Sequence, residues 1–142
     1  MSDRPVRGWR PRLLTALCWV MAVAFTVGGI TKILPGETFF GPPYSVKFVE
    51  WGYPAWFRFL VAAGEIVGAI LLVTPRPKAR FVGAALLGVI LVGAVITHIA
   101  NRDPVAHSVS APVHLVLVSI VAWVNRPEKG FRWPGGRAEV AA

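Results

Sequence analysis

The chain has 142 residues, is 55% hydrophobic and 15% charged, and carries a formal net charge of +8. Soluble domains carry roughly 45–50% apolar and ~25% charged residues; here the apolar residues gather in four blocks, which excludes an ordinary soluble domain and points to membrane helices. The positive balance comes with no recognition motif or soluble basic domain, which excludes nucleic acid as a partner in favour of anionic lipid headgroups, and a lone cysteine, Cys18, excludes an intrachain disulfide, a CxxC pair or a thiolate cluster.

A basic tail, residues 1–12 with Arg4, Arg7, Arg10 and Arg12, precedes the first apolar block, Leu13 to Leu34. At 1.5 Å per residue that block spans ~33 Å, enough for a hydrocarbon core of ~30 Å. The basic start and Ala22-Val23-Ala24 imitate a signal peptide and its cleavage site. The apolar run continues past Ala24, so the segment is expected to be retained as a membrane helix.

Residues 35–54 form an amphipathic loop on the outer side. Within it Pro42-Pro43 introduces a short predicted helix from Tyr44 to Trp51, with Gly52 as its stop. Tyr44 and Phe48 are i, i+4 neighbours, while Lys47 and Glu50 lie on another side. Such a helix either lids the outer end of the bundle or simply connects two spans.

The second block, 55–74, stops at Pro75-Arg76-Pro77-Lys78. The third, 81–100, ends before Asn101-Arg102-Asp103-Pro104. The fourth, 109–124, is the shortest. Ser110 is a candidate cap for it, and Pro112 falls in its first turn, where a missing N–H costs little. Residues 125–142 form a second basic tail whose end, from Gly135, has the composition of a disordered segment.

Eleven of the fifteen Lys and Arg residues lie in the two tails and the loop between the second and third blocks. An even number of spans puts these three segments on one side, and the positive-inside rule makes that side cytoplasmic. Trp51, Tyr53 and Trp56 then mark the outer headgroup level, and Trp9, Trp123 and Trp133 the inner one. Trp19 lies within the first span. The predicted fold is all-α: an integral membrane four-helix bundle with cytoplasmic N- and C-termini, in a bacterial plasma (inner) membrane.

Lipid tails give helices no ordinary hydrophobic reason to associate, so small residues that permit close approach take over. Each of the first three spans has such a stripe: Ala24, Gly28 and Gly29; Gly64, Gly68 and Ala69; Ala84, Gly88, Gly93 and Thr97.

Glu65 is the ionisable residue deep in a span, ~15 Å from the outer boundary. A charge there costs ~2.5–3.5 kcal/mol on insertion scales, so it should face the bundle interior and find a partner. Two roles fit: a proton-exchanging or ligand-binding carboxyl, or a paired glutamate that ties helices together. Lys32, His98 and His114 lie toward the same outer half, and Lys32 and His98 are placed to reach toward Glu65. Each also has a plainer role, as a snorkelling lysine or an interfacial histidine. His107 reads as a loop residue. Two histidines on adjacent helices resemble axial haem ligands, but no further ligand set accompanies them, so haem is disfavoured and no metal site is assigned. No catalytic residue is assigned either, since no phosphate loop, nucleophile–base motif or dinucleotide fingerprint is present.

Several stretches resemble the DoxX-like family of small four-helix membrane proteins. They are Gly28-Gly29-Ile30-Thr31-Lys32-Ile33, Gly52-Tyr53-Pro54-Ala55-Trp56-Phe57, Gly64-Glu65-Ile66-Val67-Gly68-Ala69-Ile70-Leu71-Leu72 followed by Pro75, and Gly93-Ala94-Val95-Ile96-Thr97-His98. The resemblance covers roughly Leu13 to Val124. It implies a four-helix membrane bundle and a loose association with quinone or sulfur redox chemistry. Relatives working in thiol–disulfide chemistry carry cysteine pairs, which this chain lacks.

Three functions fit these readings. The leading one is an accessory or scaffold subunit, not catalytic alone, in a larger respiratory or redox membrane assembly, either as a homo-oligomer or with other membrane subunits. The second is a quinone- or lipid-binding redox component in which Glu65 exchanges protons and His98 and Lys32 bind the ligand's polar head. The third is a small oligomeric transporter.

Overall fold

The computed structural model describes residues 9–38 and 41–127. Arg4, Arg7, Lys129, Arg132, Arg137 and Trp133, which enter the charge and aromatic arguments above, lie outside the described residues, as does the segment from Gly135.

The described residues form six helices: α1 (Trp9–Ile33), α2 (Tyr44–Glu50), α3 (Phe57–Val73), α4 (Pro77–Ala100), α5 (Val105–Ser108) and α6 (Ser110–Asn125). An isolated bridge between Thr38 and Gly41 is the extended pairing among them. Three stretches are long and apolar enough to cross a membrane: Pro11–Ile33, Pro77–Ala100 and Val105–Asn125. With 17 residues, α3 measures about 25 Å, shorter than the predicted second block and than a ~30 Å hydrocarbon core.

Local sequence explains the breaks. Thr74 turns extended after α3, and Pro77 opens α4 at its first position, where its missing N–H removes no helical bond. The Arg80 Nε donates to the Thr74 carbonyl at 3.0 Å and ties the turn to the new helix. The fourth block departs from expectation at its start. Ser110 is the first residue of α6 and no side chain caps the helix, because Val109 before it is already helical (φ −62°, ψ −27°). The one-turn α5 therefore runs nearly straight into α6, lengthening the apolar stretch to Val105–Asn125. His107 belongs to α5 and not to a loop.

The helices α2 and α4 end in the same way. After α2, the Tyr53 N–H returns to the Phe48 carbonyl and the Gly52 N–H to Val49, with Gly52 at φ +84°. After α4, Asp103 N–H returns to His98 and Arg102 N–H to Ile99, with Arg102 at φ +54°. Both are Schellman motifs, which set the second residue beyond the helix against the last full turn.

Packing runs α1 to α3, α3 to α4 and α4 to α6, with a much slighter seam between α6 and α1. The core between them holds Cys18 and Met21 of α1, Leu72 of α3, Leu87 of α4, and Val118 and Val121 of α6, all fully buried. The outside is apolar as well: Val20, Val23, Ile70, Val89, Ile96, Val116 and Ile120 are exposed. An apolar exterior over an apolar core is the signature of a lipid-solvated bundle.

Close approach comes from particular glycines. A methyl on Gly29 would sit 3.1 Å from the Ala62 carbonyl, so α1 meets α3 there. A methyl on Gly83 would lie 2.7 Å from Leu71 Cβ and 2.9 Å from the Gly68 carbonyl, so α3 and α4 touch backbone to backbone. Gly83 stands outside the stripe expected for the third span. Gly93, inside that stripe, has nothing within 4 Å of where a side chain would begin.

Candidate functional site

Lys32 and Glu65 meet in the α1–α3 interface, near the C-terminal end of α1. The Lys32 amine donates to both carboxylate oxygens, at 2.9 and 2.8 Å, and to the Gly28 carbonyl at 3.3 Å. Side-chain exposure is 12% for Lys32 and 9% for Glu65. Gly28 makes the room: a methyl there would already be in contact with Glu65 Oε2, at 3.6 Å. Thr31 Oγ1 donates to the same Gly28 carbonyl at 2.8 Å. The ammonium thus has three acceptors within hydrogen-bond distance, two of them the oxygens of a single carboxylate. The Tyr44 ring lies against Lys32, its centroid 4.9 Å from Nζ, in cation–π geometry.

His98 is placed elsewhere. Its Nδ1 lies 2.6 Å from Asp103 Oδ2, and its ring meets Trp51 edge-on at 5.3 Å. The expected reach toward Glu65 is not made, because the Schellman turn after α4 sets Asp103 directly against His98. His114 packs edge-on to Phe25 of α1 at 5.6 Å and holds the Ser110 carbonyl through Nδ1 at 2.7 Å. The two histidines engage separate partners.

Asp103 is the polar residue that sequence reasoning missed, having served there only as a helix-stop signal. Its Oδ2 also accepts the Trp51 indole N–H at 3.1 Å. Local sequence marks it only as a helix stop, since one of its partners, Trp51, follows α2 and lies 52 positions away. Tyr53 joins the same region through a hydroxyl–hydroxyl bond of 2.9 Å to Thr97, which itself donates to Gly93. Around Phe48, only 5% exposed, the rings of Tyr44, Trp51, Tyr53 and Phe57 form an aromatic layer. At its edge, burial pushes the Lys47 amine's pKa down, opposed by the carboxylates of Asp103 and Glu50.

The arrangement pairs Lys32 with Glu65 and sets Asp103 against His98. Among the described residues no three His, Cys, Asp or Glu side chains group as a metal site. A quinone carbonyl needs an N–H or O–H donor, and at Lys32 it would compete with Glu65 and the Gly28 carbonyl.

A model of the DoxX-like family matches residues 16–122, from the second turn of α1 to the last turn of α6 and including both members of the Lys32–Glu65 pair. No curated protein and no solved structure matches the chain.

Proposed function

This chain belongs to the DoxX-like family, and from that premise we propose that it is an accessory or scaffold subunit of a larger membrane assembly. The observation that carries the reading is the Lys32–Glu65 pair: the ammonium lies within hydrogen-bond distance of both carboxylate oxygens and so links α1 to α3. A charge pair held between two helices fixes them against each other, because parting it would leave an unpaired charge among apolar side chains.

The exterior supports the same reading. On α6, Leu115, Val116, Ser119, Ile120 and Trp123 line a shallow apolar groove suited to a neighbour's helix or to lipid. The α1–α6 seam is slight, which leaves two helix faces of the bundle for a neighbour.

In this reading all four long helices, α3 included, cross a bacterial plasma membrane, with both termini and the α3–α4 turn, including Arg76 and the Lys78 and Arg80 of the first turn of α4, in the cytoplasm. The distribution of Lys and Arg supports that orientation. The 17 residues of α3 suffice if the aromatic residues Tyr53 and Trp56 hold its outer end at the headgroup level. The quinone- or lipid-binding alternative requires Lys32 to release Glu65 first.

Purification from native membranes in a mild detergent, followed by native mass spectrometry, tests the proposal. The expected result is a stoichiometric complex with further membrane chains or copies of this one. A monodisperse single chain with quinone-dependent turnover, lost in Glu65→Gln, would replace it with the redox reading.

A further inference from the structure

We infer that α2 is a hinged lid over the Lys32–Glu65 pair and that Asp103 is the clasp that holds it shut. The lid is short, seven residues, and makes slight contact with α1 and α3. Its first residue, Tyr44, lies over Lys32. Its inner residue, Phe48, seals the aromatic layer, while Val46 and Val49 face outward. Glycines at positive φ flank it on both sides: Gly36 at +124°, Gly41 at +111° and Gly52 at +84°. None of the three has a packed neighbour within 4 Å of where a side chain would begin; Gly41 is held by its bridge to Thr38 and Gly52 by its bond to Val49, while among the described residues Gly36 makes no such bond to hold it.

Two side-chain hydrogen bonds run from the lid segment to the end of α4. Tyr53 to Thr97 is neutral. Trp51 to Asp103 is charge-assisted, and bonds of that kind are roughly twice as strong as neutral ones. The carboxylate oxygen that accepts from Trp51 is the one facing His98 at 2.6 Å, so a single atom joins α2 to α4. The Schellman turn with Arg102 at φ +54° presents that atom to the lid. The clasp is remote from the pair it guards, since Asp103 touches neither Lys32 nor Glu65. It is therefore a positioning residue for the lid.

Amide hydrogen exchange of the protein in lipid nanodiscs tests this. In Asp103→Ala, and separately in Trp51→Phe, exchange across residues 44–53 should accelerate about tenfold while α3, residues 57–73, keeps its wild-type rate. Trp51→Phe retains the ring and loses only the donor, so it serves if Asp103→Ala folds poorly. A water-soluble acylating reagent should modify Lys32 faster in the same variants. Wild-type exchange at 44–53 in both variants would overturn the clasp, and so would equal loosening of α3. Faster exchange with no gain at Lys32 would overturn the lid.

Discussion

Lys32 and Glu65 are held together at 2.8 Å inside a bundle whose surroundings are apolar. Breaking such a pair costs more than the pair itself contributes, because one charge stays behind unpaired. Lys32→Met or Glu65→Gln alone should destabilise the bundle by about 3–5 kcal/mol, read as unfolding in mixed micelles. The double replacement Lys32→Met with Glu65→Met should recover most of that loss, since an apolar pair of similar volume leaves no orphan charge. A double variant as unstable as the worse single one would mean that the charges do more than cancel. The sequence made Glu65 conspicuous by its cost in lipid and named Lys32 as a reachable partner. It placed His98 in the same group, and there the inference failed: His98 faces Asp103 instead. Helical spacing sets which face a residue occupies; how far its neighbour's loop folds back over that face depends on a turn five residues on.

Glycine stripes marked the helices as packable, but the contacts themselves depend on rotation about each helix axis. Gly83 and Gly68 bring α4 against α3, while Gly93 faces open space. Gly83→Ala should therefore cost about 1–3 kcal/mol, because the added methyl meets backbone and a Cβ, neither of which gives way. Gly93→Ala should be neutral or slightly stabilising, by up to about 1 kcal/mol, as alanine is the better helix former. The ordering of the two variants in a thermal unfolding series is the check, and equal effects would show that the α3–α4 contact is looser than described. At the end of α2, Gly52 has a requirement of a different kind. At φ +84° an alanine is strained by roughly 1–2 kcal/mol. Gly52→Ala should loosen residues 44–53 in hydrogen exchange without changing α6.

For the whole molecule, the Lys and Arg distribution and the helix order combine into one statement about orientation. In a chain with Cys18 replaced by alanine, a cysteine at Glu50 should react with a membrane-impermeant maleimide on intact cells. One at Lys78 should react only after permeabilisation. The reverse pattern, or labelling of both, would remove the four-crossing arrangement proposed above. The result bears on α3 in particular, since its 17 residues are fewer than the ~20 of a typical crossing.

Composition and the spacing of apolar blocks were enough to identify lipid as the solvent, helices as the elements and Glu65 as a group in need of a partner. All three follow from the cost of bare polar groups in hydrocarbon, which acts on each segment separately. The choice of Lys32 over His98 as that partner, Gly83 as the place where α4 meets the α3 backbone and Asp103 as the link between Trp51 and α4 were settled only when the helices came together. Those depend on distances of 3 Å between residues 33, 15 and 52 positions apart in the chain, and such distances are a property of helix rotation and loop return, not of any local pattern.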